Sequence, residues 1–315
     1  MTSSVQGDTP GAEWTAEHDV GEAEAAALVG GRFPGLRGAP VTLLATGWDN
    51  TVHLVGERWV FRFPRRAVVL PGVEREIATL PALAPRLPLV LPAPTHVGRP
   101  EGSYPWPFWG TELIPGRELA EAGLPAAGQV RAATDLGAFL RALHDPGLSA
   151  EVGTGLPVDP MRRGDPGVRA PMARERLERL ARRGVWRPDP AVERLLAEGE
   201  AAGPPPGPPV IVHGDLHLRH LLVGPDGRAS GVIDWGDLCR ADPAVDLSLA
   251  YAGFSGAART ALLAAYGRPL APERETAARV LAVFLCAALA DYADSTGHAR
   301  LLTASLTGIR QAVSP

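Results

Sequence analysis

The stretch His213–Asp237, HGDLHLRHLLVGPDGRASGVIDWGD, decides how the chain is read. Its first eight residues hold three histidines, an aspartate and an arginine: His213, Asp215, His217, Arg219 and His220. They stand against the apolar run LLV, which VGPDGR joins to GVIDW as a hairpin turn. The second strand delivers Asp234 at its end. A hairpin brings its two ends together, so Asp215, His220 and Asp234 are expected to converge on one cleft. Phosphoryl transfer asks for such a set: one carboxylate orients or deprotonates a hydroxyl, and other ligands hold Mg²⁺ on the phosphates.

Upstream, the hydrophobic period changes. VTLLA (41–45), TVHLV (51–55) and WVFRF (59–63) are short β-rich runs joined by GWDN and GER turns, a meander of hairpins. Asp19-Val-Gly-Glu22 reads as a capping box opening a helix that Gly30-Gly31 should stop. GVEREIATLPAL (72–83) has helical spacing, and FWGTELIPG (108–116) reads as a strand ended by Pro-Gly. TDLGAFLRALHD (134–145) sets Leu136, Phe139, Leu140 and Leu143 on one buried helix face. Residues 174–196 read as exposed, charge-dense helices, GPPPGPP (203–209) as a stiff linker, and 243–312 as mostly helical. The plan is α+β and bilobal: a disordered tail over 1–14, a small β-rich N-lobe over 15–114, and a larger α-helical C-lobe over 115–315.

Composition narrows the class. The formal net charge is −4, which offers nucleic acid no global basic field. Neither a signal peptide nor an apolar run of about eighteen residues is visible, so a cytoplasmic chain without a membrane span is expected. Cys239 and Cys286 form no metal pattern. All 31 basic residues are arginine. Any task usually given to lysine must fall to arginine.

With these motifs in place the sequence resembles the aminoglycoside phosphotransferase family, whose fold is protein-kinase-like. The resemblance rests on His213-Gly-Asp215, Ile233-Asp234-Trp235 and Asp242-Pro-Ala-Val-Asp246-Leu. LGAFLRALH and GWDNTVHLV…WVFRFPRR…EREIATL also fit, and together the motifs cover roughly residues 40 to 255. It implies Asp215 as the catalytic base or hydroxyl-orienting residue, Asp234 as a metal ligand and His213 as a structural brace. It further implies that the turn from Gly47 to Asn50 lies over the nucleotide phosphates, its backbone amides facing them. Arg62 stands where the family carries a lysine for the phosphates, with Glu76 as its partner, and Thr111–Ile114, with Glu112, is the hinge that holds the purine. His220 replaces the usual asparagine, the second metal ligand. The macrolide phosphotransferase branch, which favours GTP, is similar in having a histidine there.

His217 and Arg219 either reach a transferred phosphate or point to water. Asp242 and Asp246 are expected to cap and brace the following helix. Asp291 and Asp294 are either a polar helix face or contacts for a cationic substrate. The expected activity is transfer of the γ-phosphate of ATP or GTP, with Mg²⁺, to a hydroxyl of a small molecule. The acceptor is an antibiotic of the aminoglycoside or macrolide class, or a sugar or amino alcohol if the chain is a metabolite kinase. A nucleotide-binding pseudokinase is the reading outside enzymology.

Overall fold

A computed structural model describes residues 16–47, 49–100, 102 and 104–314. The expected tail over 1–14 and Trp48 of the GWDN turn lie outside them. The chain divides into two compact units, Met1–Ile77 with Ala93–Leu113, and Ala78–Pro92 with Ile114–Pro315. Residues 78–92, expected in the N-lobe, therefore group with the second unit. Val90 bridges Gly231 there, and Arg86 pairs with Glu151.

The first unit contains α1 (Glu22–Arg32), β1 (Val41–Thr46), β2 (Asn50–Val55), β3 (Trp59–Pro64), most of α2 (Leu70–Leu83), β4 (His96–Gly98) and β5 (Phe108–Glu112). Its antiparallel sheet runs β1-β2-β3-β5-β4. Alternation sends Phe61 and Phe63 of β3 inward with Val55, where they meet Tyr104, Phe108 and Val29 of α1. Phe63 and Phe108 stack with centroids 4.9 Å apart. Gly110 has to be glycine, because a Cβ there would lie 2.6 Å from the Phe61 ring. The expected capping box is absent: α1 starts at Gly21 without a side-chain cap, and Asp19 pairs with Arg65 instead. Nor do Gly30 and Gly31 stop the helix. It continues through both to Arg32, and Pro34 follows the end of the helix.

The second unit is built of β6 (Arg117–Glu118), α3 (Leu119–Ala122), α4 (Ala126–Leu143), α5 (Pro146–Val152), α6 (Pro166–Arg182) and α7 (Pro190–Ala202). Then come β7 (Val210–Val212), β8 (Leu221–Val223), β9 (Ala229–Val232), β10 (Cys239–Ala241), α8 (Ala244–Gly253), α9 (Gly256–Tyr266), α10 (Pro272–Thr296) and α11 (Ala299–Ala312). Helix α10 is long and apolar enough to cross a membrane by length and composition, but it packs against α6, α7, α8 and α11 as a core helix. The 174–196 helices are less exposed than their charge suggests: Leu177, Leu180 and Leu195 are buried. Two small sheets, β10-β7 and β6-β8-β9, frame the opening stretch.

Candidate active site

The segment after β7 and the segment after β9 leave their sheets side by side. β10 returns to pair with β7, Cys239 opposite Val212, while β8 and β9 form the expected hairpin. Two hydrogen bonds and one close backbone approach hold the two segments together. The Ile233 N–H donates to the His220 carbonyl at 3.0 Å, the His213 ring Nε2 lies 3.0 Å from the Ile233 carbonyl, and a Gly214 Cβ would collide with the Asp237 carbonyl at 2.2 Å. With φ at +92°, Gly214 is required for conformation and for space.

His213 is a buried structural residue. A carbonyl only accepts, so Nε2 carries the proton, and Nδ1 takes the Asp215 N–H at 3.2 Å. Burial pushes its pKa down, which keeps the ring neutral. Asp246, fully buried, accepts from the His213 N–H at 2.8 Å and the Gly214 N–H at 3.1 Å. Its Oδ2 also lies 3.2 Å from His144 Nε2. Asp246 thus braces the loop before Asp215 as well as standing in α8. Asp242 caps α8 through the Ala244 N–H and pairs with Arg274. Trp235 is core, its indole N–H donated to the Val232 carbonyl at 2.9 Å.

Asp215 is partly exposed, and Arg163 Nη1 donates to its Oδ1 at 2.9 Å. The other arm of Arg163 reaches Asp237 at 2.7 Å. Burial opposes the Asp215 charge, but the facing His217 and the Arg163 guanidinium hold the carboxyl below its usual range. His217 Nδ1 accepts the Arg219 N–H at 3.3 Å, which leaves the proton on Nε2, 3.6 Å from Asp215 Oδ2. Burial, and then the neighbouring His220, push the His217 pKa down to about 3, so it stays neutral. Arg219 does not point at this group. It forks onto Glu118 at 3.0 and 3.1 Å.

His220 Nδ1 lies 2.8 Å from the Asp215 carbonyl, which forces the proton onto Nδ1. The lone pair of Nε2 is therefore free, and it faces Asp234 Oδ2 at 3.4 Å. An imidazole nitrogen and a carboxylate at this separation fit a shared divalent cation. Asp215, His217 and His220 also place ligand atoms within 4.8 Å of one another. Asp234 adopts φ +69°, a left-handed conformation uncommon for a residue other than glycine.

In the first unit Arg62 lies 12% exposed, with Nη1 3.8 Å from Glu76 and its guanidinium 5.3 Å from the centre of Trp109. In the turn from Gly47 to Asn50 the described residues show one internal bond. The Gly47 N–H closes onto the Asn50 carbonyl at 2.9 Å and so does not face outward. Asp49 pairs with Arg66. The Glu112 side chain is exposed and pairs with Arg58, while Ile114 is buried. Asp291 and Asp294 are taken up by Arg179 and Arg183, so the polar-face alternative describes them. Sequence reasoning missed Arg163 and Asp237. Arg163 lies 52 residues before Asp215 and no motif spacing marks it.

The model of the phosphotransferase enzyme family (APH) matches residues 40–280. The chain belongs to this family. It is a phosphotransferase of the small-molecule kinase class with a protein-kinase-like fold. The GDP complex of wild-type aminoglycoside 2'-phosphotransferase-IIIa aligns at a TM-score of 0.67 with 20% identity, covering 93% of this chain and 98% of that one. The macrolide 2'-phosphotransferase MphH of Brachybacterium faecium aligns at 0.56 with 25% identity, covering 91% and 97%. The uncharacterized protein YcbJ of Bacillus subtilis (strain 168) is 43% identical over 61 residues, a stretch that spans 19% of this phosphotransferase and 20% of that protein.

Proposed function

We propose that this phosphotransferase moves the γ-phosphate of ATP or GTP to a hydroxyl of a small molecule. The observation that carries the reading is the His220 lone pair aimed at Asp234, on the same loop that presents the Asp215 carboxylate. His220 and Asp234 would hold a divalent cation, which supplies neutralisation of charge on the phosphate oxygens when bound. Asp215 would accept a hydrogen bond from the acceptor hydroxyl. The acceptor oxygen bonds to the γ-phosphorus as the bond to the nucleotide's bridging oxygen breaks, and the acceptor proton passes to Asp215. Because Asp215 is held ionised, this assignment favours orientation first and late proton uptake, as a loose transition state requires. Arg62, steadied by Glu76, would bind the phosphates, and the Thr111–Ile114 backbone would meet the purine. His217 would donate to Asp215 rather than to phosphate, and Arg219 would act through Glu118. The enzyme would work in the cytoplasm.

Two acceptor readings follow. The similar solved structures are aminoglycoside and macrolide phosphotransferases, which favours an antibiotic acceptor. A metabolite kinase is favoured by the pairing of Asp291 and Asp294 with Arg179 and Arg183, which takes up carboxylates that a polycationic acceptor would need. The test is a panel of hydroxylated antibiotics and metabolites, incubated with ATP or GTP and read by the mass gain of one phosphate. Transfer to no compound with either nucleotide would contradict the proposal.

Two variants probe the nucleotide groups. Arg62→Ala should raise the dissociation constant for the metal nucleotide by roughly 10–100-fold, the worth of a charge-assisted hydrogen bond. Arg62→Lys should recover part of it, and unchanged affinity in Arg62→Ala would remove Arg62 from the phosphates. His220→Asn should retain turnover with Mg²⁺, because an amide oxygen suits a hard cation. It should lose any advantage the wild type shows with Mn²⁺ or Co²⁺, where imidazole is better matched. An unaltered metal preference would make His220 a packing residue.

A further inference from the structure

Helix α6 carries an unusual pair of cations. Arg169 and Arg176 lie seven residues apart, hence on one face. Both guanidiniums sit against the Phe284 ring of α10, 5.0 and 5.1 Å from its centre. Nearby arginines are matched with carboxylates: Arg174 with Glu193 and Glu200, Arg179 with Glu175 and Asp291, Arg183 with Asp291 and Asp294. Among the described residues neither Arg169 nor Arg176 has a carboxylate within ion-pair distance.

Yet both are withdrawn from water. Arg169 is 7% exposed, its Nε has no partner, and its two amino groups reach only the Met161 carbonyl at 2.6 Å and the Met172 sulfur at 3.4 Å. Arg176 is half-buried. Burial, followed by neighbouring arginines, lowers the pKa of each guanidinium. The surrounding acids are occupied. Asp159 accepts the Arg163 and Gly164 N–H groups, Asp215 is held by Arg163, and Asp291 is shared by Arg179 and Arg183. A phenyl face attracts cations but neutralises no charge. Buried charge without a counter-ion is costly, so an arginine pair kept in this state is built for an anion that arrives from outside. The Met161 carbonyl that Arg169 holds is two residues from Arg163, and so the Arg169 end of the pair lies beside the segment that contacts Asp215.

We infer that Arg169 and Arg176 form an anion subsite for the acceptor, which is a hydroxylated compound bearing a carboxylate or a phosphate rather than a polycation. This rests on the phosphotransfer reading and, within it, selects the metabolite-kinase branch. Arg176→Met keeps the stem that covers Phe284 and removes the charge, and Arg176→Lys restores a charge without the fork.

The experiment has two arms, both with wild type, Arg176→Met and Arg176→Lys saturated with metal nucleotide. In the first, inorganic phosphate is titrated and thermal stability is followed. Phosphate should stabilise the wild type, leave Arg176→Met unmoved and act partially on Arg176→Lys. In the second, acceptors are compared in pairs, a hydroxy acid with its amide and a sugar phosphate with the free sugar. The anionic member of a pair should turn over better, and its KM should rise about tenfold or more in Arg176→Met while kcat stays near wild type. The two pairs separate carboxylate from phosphate recognition. An equal phosphate response in wild type and Arg176→Met, or turnover limited to neutral or cationic acceptors with KM unmoved, overturns the anion subsite and leaves phosphotransfer standing. An Arg176-dependent phosphate response without turnover of any acceptor counts against phosphotransfer and for the subsite.

Discussion

Asp215→Ala is expected to lower turnover by roughly 10²–10⁴-fold while the protein folds and binds metal nucleotide close to normally. The side chain is partly exposed and its loss opens no core cavity. Arg163 keeps its contact with Asp237 at 2.7 Å, so one counter-ion remains. What disappears is the carboxylate assigned to accept a hydrogen bond from the acceptor hydroxyl. Asp215→Asn sharpens the result. It preserves shape but presents a neutral group beside Arg163 and His217, and it should be nearly as impaired. Single-turnover rates on an identified acceptor give the comparison, and near-wild-type rates in both variants would remove Asp215 from the chemistry.

Asp246→Ala should act through stability. Its carboxylate is fully buried and accepts from the His213 and Gly214 N–H groups. Deleting it leaves those donors and His144 Nε2 without an acceptor in a dry interior. Breaking such a buried network costs about 3–5 kcal/mol, a large share of a typical total of about 5–15 kcal/mol. Asp246→Asn keeps one acceptor oxygen and turns an amide N–H toward donors, so it should fall between wild type and Ala. Urea unfolding of the three proteins reads the order. Equal midpoints would mean that the loop before Asp215 does not depend on this brace.

The part of the site that was legible in the sequence is the part built by near neighbours. Pro-Asp-Gly turn chemistry sets the β8–β9 hairpin, which fixes where His220 and Asp234 meet, and Gly214 is demanded by a contact within the same quoted stretch. The β1–β3 meander was legible for the same reason, since alternation and turn residues are local signals. Arg163 was not, because a loop just before α6 delivers it to Asp215 through tertiary packing. Arg219 was ambiguous until its partner Glu118, 101 residues away, was in place. The early end assigned to α1 failed because glycine costs a helix only about 1 kcal/mol, which disfavours continuation without forbidding it. The Gly47 amide failed differently: a single glycine does not specify whether its N–H closes the turn or faces a ligand.

In the proposed function two carboxylates divide the labour, Asp215 at the acceptor and Asp234 at the metal nucleotide. Calorimetric titration of ATP and GTP, with Mg²⁺ and with a chelator, tests this division in wild type, Asp215→Ala and Asp234→Asn. Asp234→Asn replaces a charged oxygen ligand by a neutral one, which a hard cation binds less well. Asp215→Ala is expected to keep the wild-type gain in affinity from Mg²⁺, and Asp234→Asn to lose most of it while its affinity in chelator is unchanged. Loss of the Mg²⁺ gain in both variants, or in neither, would contradict the division.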